Sequence, residues 1–466
     1  MSASKRPNLD TVTTINRDGS RFAIHPADVF GRFTVLRRLV ALLLIAVYGL
    51  LPWIPVNGNP AVFLDIMNRR FHLFGLTLAT QDLWLLVFLI SGLAFTLFYV
   101  TAFLGRVWCG WACPQTVFLE HVYRRVERWI DGDAPNRRKL DKAFWSPGKI
   151  VRRLLKHAIF IVFSALIAHV FLAYFVSIPE LWSWMRQSPF EHWSSFLFVG
   201  IITLTLYANF AWFREQLCIV ICPYGRMQSA LVDEHTLNIA YDYQRGEPPG
   251  PVSDPNAGDC IDCRRCVQVC PTGIDIRQGL QLECVGCANC IDACDQIMDR
   301  VNRPRGLIRY ASEEELEGRR TRWLRPRAYL YTGLLLLGIS VAGFAFSTVK
   351  PISAQVTRMT GSAFYISEDS IRNQYRVNLL NKSTQAQTFR IEPVVAAEWA
   401  DAVVVERQSW ELGPSEERSV TWVVRVPLET YTGGFPLEIQ VTAEPGGWQV
   451  KRELNFVGPD PSLLQQ

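Results

Sequence analysis

Cysteine is missing from most of this chain. None of the residues before position 109 is a cysteine, and none occurs in the last 172 residues. All twelve cysteines therefore lie between Cys109 and Cys294. This distribution excludes a framework of disulfides spread over an exported domain. Closely spaced cysteines indicate instead metal binding or redox chemistry in a reducing compartment.

A large excess of charge of either sign is also missing. The formal net charge is only +5 over 466 residues, which gives no indication of a nucleic-acid partner. The first 38 residues lack the apolar stretch and the small-residue cleavage site of a secretory signal, so we expect no cleavable leader. Hydrophobic residues make up 49% of the chain and the mean hydropathy is +0.10, which is high for a soluble protein.

Long apolar runs are present, and five of them approach the roughly 20 residues that a helix needs to cross a bilayer. They are residues 40–56, 83–104, 157–178, 195–213 and 328–349. Buried core helices are the alternative, but soluble domains rarely contain five such runs. The sequence thus predicts a membrane α-helical bundle with about five transmembrane helices, four of them in a transmembrane region at 39–245.

Lysine and arginine are distributed unevenly between these runs. Segments 1–38, 105–156 and 214–327 carry seven, twelve and fifteen of them, whereas segments 57–82 and 179–194 carry two and one. Because basic loops stay on the cytoplasmic side, the N-terminal segment and the two basic loops are predicted to lie inside the cell. Five crossings then put the C-terminus outside. We therefore expect a multi-pass protein of the bacterial inner membrane, with a periplasmic C-terminal domain.

Three further segments complete the part before the last span. Residues 115–131 carry apolar residues at helical spacing with arginines set off that face, which predicts an interfacial helix on the inner leaflet. A helix packed on the cytoplasmic domain is the alternative. Residues 246–259 are a linker rich in proline, glycine and aspartate, and they open a cysteine-dense domain at 246–310. A basic linker and the last span follow at 311–349.

The C-terminal part, residues 350–466, has the pattern of an all-β domain. Runs of strand-forming residues start at Tyr375, Thr388, Val403, Val420 and Leu437. About seven short strands in about 100 residues predict an immunoglobulin-like sandwich, here without the usual inter-sheet disulfide. We expect it to dock a partner. The simpler alternative is a passive exported cap.

The strongest motif is a doubled run of cysteines. The first run reads C-x2-C-x2-C-x3-C-P from Cys260 to Pro271, and the second repeats the spacing from Cys284 to Cys294, followed by Asp295 instead of proline. In bacterial ferredoxins with this spacing the fourth cysteine of each run binds the other cluster, so the runs predict a dicluster ferredoxin-like α+β domain. Zinc is the alternative, but zinc sites usually pair CxxC motifs across a longer loop. We assign Cys260, Cys263, Cys266 and Cys294 to one 4Fe-4S cluster, and Cys284, Cys287, Cys290 and Cys270 to the other.

The remaining four cysteines form a second repeated motif, C-x3-C-P. Its copies end at Pro114 and Pro223, and each follows a predicted span. If those spans are neighbours, four thiols converge at the membrane surface, those of Cys109, Cys113, Cys218 and Cys222. Such thiols could bind Cu(I), zinc or an iron–sulfur cluster, cycle between dithiol and disulfide, or simply fill an apolar core. Met227 could add a soft copper ligand, although helix packing is its commoner role.

One histidine, His169, lies inside the predicted third span. Ionisable residues within a membrane are functional candidates, and haem is the cofactor to consider. The nearest other histidines, His157 and His192, stand at opposite ends of this region. A hydrogen-bonded structural histidine is therefore favoured over a bis-histidine haem site.

Together these features resemble the FixG/CcoG (RdxA) family of cytochrome c oxidase accessory proteins. The resemblance covers nearly the whole chain: the two C-x3-C-P motifs, the doubled ferredoxin run, the last span and the exported immunoglobulin-like domain. It implies a membrane-bound electron-transfer protein that acts as a cupric reductase, Cu(II) to Cu(I), in the assembly and copper loading of cbb(3)-type cytochrome c oxidase. The copper-binding and reducing residues that it implies are Cys109, Cys113, Cys218 and Cys222.

The resemblance also implies partners. They are oxidase subunits, or copper chaperones and transporters, together with an unidentified cytoplasmic electron donor, and a homo-oligomer is compatible with it. Two other functions stay open at this point. Membrane ferredoxins of nitrate and nitrous-oxide respiration carry similar motifs, so the chain could be an electron conduit without a substrate of its own. It could also be a non-catalytic scaffold for oxidase assembly.

Overall fold

The computed structural model describes residues 23–396, 399, 402–405 and 408–463. Residues 1–22 of the predicted N-terminal segment, and Glu406 of one predicted strand, lie outside this part. The described chain divides into two compact units. The first unit comprises residues 23–55, 60–65 and 85–342, and the second comprises residues 56–59, 66–84 and those from 343 onward.

Most of the first unit is helical. In chain order the helices of the described residues are α1 (Arg32–Leu50), α2 (Leu85–Leu104), α3 (Val107–Trp111), α4 (Pro114–Phe118), α5 (Arg124–Asp131), α6 (Ala134–Lys142), α7 (Pro147–Leu172), α8 (Ile178–Trp184), α9 (Trp193–Ala208), α10 (Pro223–Leu231), α11 (Tyr243–Gly246), α12 (Arg265–Gln268), α13 (Asn289–Arg300), α14 (Glu313–Leu316) and α15 (Pro326–Ser347). Turns of π-helix lie at Leu119–Tyr123, Asn209–Phe213 and Leu217–Ile221.

The strands are short before the last span and longer after it. They are β1 (Pro55–Val56), β2 (Asn59–Pro60), β3 (Val62–Asp65), β4 (Arg70–Leu73), β5 (Leu76–Leu78), β6 (Asn238–Tyr241), β7 (Ile308–Ala311), β8 (Ile352–Arg358), β9 (Tyr365–Ile366), β10 (Ser370–Asn381), β11 (Gln387–Val394), β12 (Val404–Val405), β13 (Ser409–Leu412), β14 (Glu417–Pro427), β15 (Phe435–Glu444) and β16 (Trp448–Phe456).

Five helices of the described part are long and apolar enough to cross a membrane, which confirms the predicted number. They are α1 with its continuation to Trp53, α2, α7, α9 with its continuation to Phe213, and α15. Their side chains are largely exposed, with at most 22% of the apolar window buried, because a lipid-facing surface has no protein to pack against.

Two of the predicted spans have wrong boundaries. The first begins at Arg32 rather than at 40 and ends at Trp53 rather than at 56. Its α-helical part stops at Leu50, because Pro52 lacks the N–H that an α-helix would need there. The third is α7, which covers Pro147–Leu172 rather than 157–178. It starts at Pro147 because the side chain of Ser146 caps it, accepting from the N–H of Lys149 at 3.3 Å, and within it Lys156 donates to Asp131 across 2.7 Å.

The helical stretch predicted at 115–131 forms, but its buried face differs from the prediction. Tyr123 packs against Phe160 of α7 and stacks on Phe210, with ring centroids 4.9 and 4.3 Å away. The π-turn at Leu119–Tyr123 adds a residue to one turn and rotates the face that follows. Trp129, one of the apolar residues of this stretch, is consequently 77% exposed.

The ferredoxin-like domain starts earlier than predicted. β6 pairs antiparallel with β7, Asn238 opposite Ala311, so the residues before the 246–259 segment belong to the same fold as those after it. The predicted boundaries 246–310 are therefore too narrow. The domain is also tied to the first long helix, because Asp292 of α13 accepts hydrogen bonds from the backbone N–H groups of Phe33 and Thr34 at 3.2 and 2.7 Å.

The second unit contains the predicted sandwich. One sheet has the order β12-β14-β10-β8, with β9 on β10, and the other has the order β13-β11-β15-β16. Both are antiparallel, and their inner faces share a core that includes Tyr375, Phe389, Trp422 and Ile439. The strands β8, β13 and β16 were not among the predicted runs.

The second unit also contains residues 66–84, from the segment between the first two long helices, which the sequence did not predict. Its hairpin β4–β5 contributes Arg70, which donates to the carbonyl of Ser415 across 2.9 Å and forms an ion pair with Glu417. A second ion pair joins Asp82 to Lys382. The segment 66–84 and the sandwich thus form one folded body.

Candidate functional site

The two ferredoxin runs adopt the same local backbone. In the first run Asp262 and Arg264 have left-handed conformations, with φ of 50° and 51°, and in the second run Gly286 and Ala288 have φ of 68° and 62°. These residues stand two and four places after the first cysteine of each run. The two left-handed residues turn the three leading thiols around a common centre, and a short helix, α12 or α13, then begins.

Four cysteines line one small cavity. These are Cys260, Cys263, Cys266 and Cys294, the last of them on α13. Burial raises the pKa of the Cys294 thiol to about 12, and the negative charges of Cys266, Cys263 and Cys260 contribute to the rise. The structure therefore brings together the four residues that the sequence groups around one cluster.

A second cavity has the corresponding set. It is lined by Cys270, Cys284, Cys287 and Cys290, and Cys266 also reaches it. Burial is the first cause of the raised pKa of Cys290, and the charges of Cys287, Cys284 and Cys270 add to it. The other lining residues are mainly apolar, such as Ile239 and Ile274. Cys266 lines both cavities, so the two cysteine sets are adjacent.

The donor sets fit cubes better than single ions. In the described part of the chain no three side chains of His, Cys, Asp or Glu are arranged to hold one metal ion. A four-iron cube instead takes one thiolate on each iron, so its four ligands surround a body rather than a point. Each of the two cavities is lined by four thiols and meets that requirement. In a structural zinc site, by contrast, the four ligands surround a single ion.

The two C-x3-C-P motifs also share one local structure. The residue four places before the first cysteine is left-handed in each, Gly105 with φ 56° and Arg214 with φ 54°. The N–H of Cys113 donates to the carbonyl of Trp108 across 2.9 Å, and the N–H of Cys222 donates to that of Leu217 across 2.8 Å. Each second cysteine is extended, and the proline after it opens a new helix, α4 or α10.

The four thiols of these motifs converge. Burial raises the pKa of Cys218 to about 12, and the charges of Cys113, Cys109 and Cys222 raise it further. Burial likewise raises the pKa of Cys109 to about 11, although the buried amide of Gln228 donates to its sulfur across 3.4 Å. The four thiols are thus mutually close and only partly exposed, and those of Cys109 and Cys218 are protonated at neutral pH when no metal is bound.

This thiol set lies directly against the second ferredoxin run. Arg106 donates to the carbonyl of Cys284 and, through its other terminal nitrogen, to that of Gly225, both across 3.0 Å. Gly110, inside the first C-x3-C-P motif, packs so closely that a Cβ atom there would stand 2.6 Å from the carbonyl oxygen of Val285. Backbone contact between the two cysteine regions leaves no intervening layer of side chains.

Three further hydrogen bonds hold the same junction, and the sequence did not reveal them. Arg37 of α1 donates to the carbonyl of Gly110 at 2.9 Å and to the side chain of Asn289 at 2.7 Å. The Trp111 indole donates to Tyr310 at 3.3 Å. The sequence offered little to indicate a role for either arginine. Arg37 stands out only as a charged residue at the start of an apolar helix, and Arg106 only because it lies next to a cysteine motif.

Two remaining candidates, His169 and His157, make hydrogen-bonding contacts with other parts of the chain. His169 contacts the carbonyl of Ala165, one turn earlier in α7, across 2.7 Å. His157 contacts Tyr207 at 3.1 Å. Met227 is half exposed on α10.

Comparison with known proteins identifies the parts of this architecture. A family model described as a 4Fe-4S dicluster domain matches residues 213–313, and one described as a 4Fe-4S binding domain matches residues 84–132. A third model, described as an IG-like fold at the C-terminal of FixG, matches residues 342–459, and its description proposes an oxidoreductase.

Relatives match over most of the chain. Protein RdxA of Cereibacter sphaeroides is 37% identical over 387 residues, which cover 80% of this chain and 82% of RdxA. Protein RdxB of the same organism is 36% identical, covering 82% of this chain and 83% of RdxB. The nitrogen fixation protein FixG of Rhizobium meliloti is 34% identical, covering 80% of this chain and 79% of FixG.

Proposed function

The chain belongs to the FixG/RdxA family of iron–sulfur electron-transfer proteins, and we propose that it is a cupric reductase that supplies Cu(I) for the assembly of a cbb(3)-type cytochrome c oxidase. The observation that carries the proposal is the junction of two cysteine sites. Four converging thiols lie in backbone contact with the second ferredoxin run, through Gly110 and Val285.

The cysteines of the ferredoxin runs are proposed to hold two 4Fe-4S clusters. One set is Cys260, Cys263, Cys266 and Cys294, and the other is Cys270, Cys284, Cys287 and Cys290. When bound, such clusters accept and release one electron at a time. The mainly apolar wall of the second cavity limits the access of water to its sulfurs. Burial raises the pKa of Cys287 to about 12 against the positive charge of Arg37, and that positive charge favours electron uptake on this side.

The four C-x3-C-P cysteines are proposed to receive copper. One Cu(II) ion gains one electron and becomes Cu(I), and a reduced cytoplasmic donor ultimately supplies that electron. Thiolates are soft ligands and favour Cu(I) over Cu(II), so capture by the site favours the reduction. Because the free thiols of Cys109 and Cys218 are protonated, binding of the ion to them releases protons.

We also propose the orientation in the inner membrane. The basic segments put the clusters on the cytoplasmic side. The second folded unit supports the same topology, because it contains both segment 66–84 and the sandwich. Segment 66–84 follows the first crossing and the sandwich follows the fifth, so four crossings separate them and both lie on the same side of the membrane. Both then lie in the periplasm. There the sandwich is suited to dock oxidase subunits or copper-delivery proteins.

The test is a copper-reduction assay on anaerobically purified, reduced protein. The double variant Cys109→Ser, Cys113→Ser is expected to retain its iron and its cluster EPR signals but to lose Cu(II) reduction, followed with a Cu(I)-specific chelator. Ala112→Ser, between the two cysteines, is the matched control and should reduce copper normally. Normal reduction of Cu(II) by the double variant would show that copper is not reduced at this site.

A second candidate for the same four thiols is a third iron–sulfur cluster. The match of residues 84–132 to a 4Fe-4S binding domain favours it, as does the convergence of four cysteines. Iron analysis separates the candidates: two clusters require about eight iron atoms per chain and three require about twelve. An electron conduit would show clusters that cycle but do not reduce copper, and a scaffold would show clusters that do not cycle.

A further inference from the structure

A cavity of about 70 Å³ lies beside the start of α1, and no cysteine lines it. Its walls come from residues 26–29, from the first turns of α1, and from the helices around residues 120–137. Only two carboxylates line it, those of Asp28 and Glu120. The same walls carry six arginines, which are Arg37, Arg38, Arg124, Arg125, Arg128 and Arg137.

The carboxylates nearby do not neutralise all six charges. Arg124 forms ion pairs with Glu120 and, across 3.3 Å, with Glu215. Two more pairs join Arg128 to Asp28 at 2.8 Å and Arg137 to Glu127 at 3.5 Å. Arg37, in contrast, donates only to neutral groups, and no carboxylate of the described chain lies within ion-pair distance of it.

Several buried guanidinium nitrogens also lack a hydrogen-bond acceptor. They include Nη2 of Arg37 and Nε of both Arg38 and Arg124. The side chains of Arg37 and Arg124 belong to residues only 3% and 7% exposed. A buried donor without a partner is costly, and a buried charge without one is costlier still, so this arrangement calls for an acceptor that carries negative charge.

The electrostatic surroundings agree with this need. Burial lowers the pKa of His121, which lines the cavity, to about 4, and the positive charges of Arg37, Arg125 and Arg38 lower it further, against Glu120. A neutral histidine and a surplus of arginines leave the cavity positive at neutral pH. Phe30 and Leu39, which lie on either side of the lining residues Thr34, Arg37 and Arg38 in the sequence, are 67% and 59% exposed.

We propose that this cavity is a binding site for a phosphate group, either on the headgroup of an anionic lipid or as free phosphate. The planar guanidinium group of arginine can donate two parallel hydrogen bonds to phosphate oxygens, and its positive charge complements the negative charge of phosphate. The cavity of about 70 Å³ has room for one phosphate group. The bound phosphate would accept from the free nitrogens of Arg37, Arg38 and Arg124.

The test uses the full-length protein, purified in detergent with its clusters and stripped of lipid. Its thermal midpoint is measured against inorganic phosphate at constant ionic strength, with chloride as the balancing salt. The variants Arg38→Gln and Arg125→Gln each change a residue that lines the cavity. Each should raise the phosphate concentration that gives half-maximal stabilisation at least tenfold. Arg138→Gln, an exposed neighbour of Arg137, is the matched control and should bind as the unmodified protein does. Without any anion the lining variants should be at least as stable as the unmodified protein, because each removes repulsion.

A second arm separates the two sources of phosphate. Phosphatidylglycerol or phosphatidylcholine is added back, and retained lipid is counted by native mass spectrometry. Retention of phosphatidylglycerol that the Arg38→Gln and Arg125→Gln variants lose would identify a lipid site, and stabilisation by inorganic phosphate alone would identify a free-phosphate site. The inference is overturned if neither ligand binds, or if the lining variants and the control behave alike.

Discussion

Arg106 donates a hydrogen bond from its guanidinium to the carbonyl of Cys284 across 3.0 Å. The other terminal nitrogen of the same side chain donates to the carbonyl of Gly225, three residues after Cys222. One planar group therefore joins the second ferredoxin run to the second C-x3-C-P motif. Arg106 itself stands three residues before Cys109. Its side chain therefore fixes the positions of three cysteine-containing segments relative to one another.

Replacing Arg106 by lysine should uncouple these segments without removing the charge. Lysine has one nitrogen where arginine presents a fork, so it cannot reach both carbonyls. We expect copper reduction by the reduced protein to slow at least tenfold, while the iron content stays unchanged. Stopped-flow oxidation of the clusters by Cu(II) measures the rate. Arg300→Lys, on the exposed side of α13, is the control, and an equal rate in both variants would contradict the role of Arg106.

The close approach at Gly110 gives a prediction about stability. A methyl group at this position would stand 2.6 Å from the carbonyl oxygen of Val285, so Gly110→Ala forces the two cysteine regions apart. We expect a loss of about 1–3 kcal/mol in the free energy of unfolding, seen as a lower thermal midpoint. Gly92→Ala, in α2, has open space around its Cβ and should leave the midpoint unchanged or slightly higher. A Gly110→Ala protein as stable as the unmodified chain would refute the packing described for this junction.

The buried ion pairs of α5 give a prediction about pH. Burial opposes ionisation of Glu127, but the charge of Arg214, with which it pairs, and that of Lys156 outweigh it and lower its pKa to about 2. Because the folded pKa is below that of an unfolded glutamate, about 4.3, the stabilisation is present above that value and is lost as the pH falls toward 2. Glu127→Gln should therefore cost about 3 kcal/mol at pH 7, since it leaves Arg214 buried without its partner.

Thermal midpoints of the Glu127→Gln protein and the unmodified protein, recorded at several pH values, measure this effect. The gap between the two proteins should be constant from pH 8 to 6 and should narrow below about pH 5, as the glutamate of the unmodified protein gains a proton. Glu317→Gln, on the exposed surface after α14, is the control. A gap that does not change with pH would show that Glu127 acts through its shape rather than its charge.

The sequence predicted the number of long helices and the sandwich because both depend on local patterns. A run of about 20 apolar residues is sufficient to indicate a span, and alternation between turn signals is sufficient to indicate strands. The ends of α1 and α7 could not be predicted in this way. Arg32 and Lys149 look like loop residues in a hydropathy profile, although each lies in the first turn of its helix, and the start of α7 is set by the cap of Ser146 and by Pro147.

Cysteine spacing by itself determined the two groups of four thiols in the ferredoxin runs, because the fourth residue of each run is placed by a helix that starts at a fixed distance from the turns. Tertiary structure alone decided that the C-x3-C-P motifs meet each other and lie against the second run. It also decided that Arg37 and Arg106 bridge them and that six arginines enclose one cavity. These residues are up to 252 positions apart, as between Arg37 and Asn289. No local pattern records such distances, since they arise only when helices from separate parts of the chain pack together.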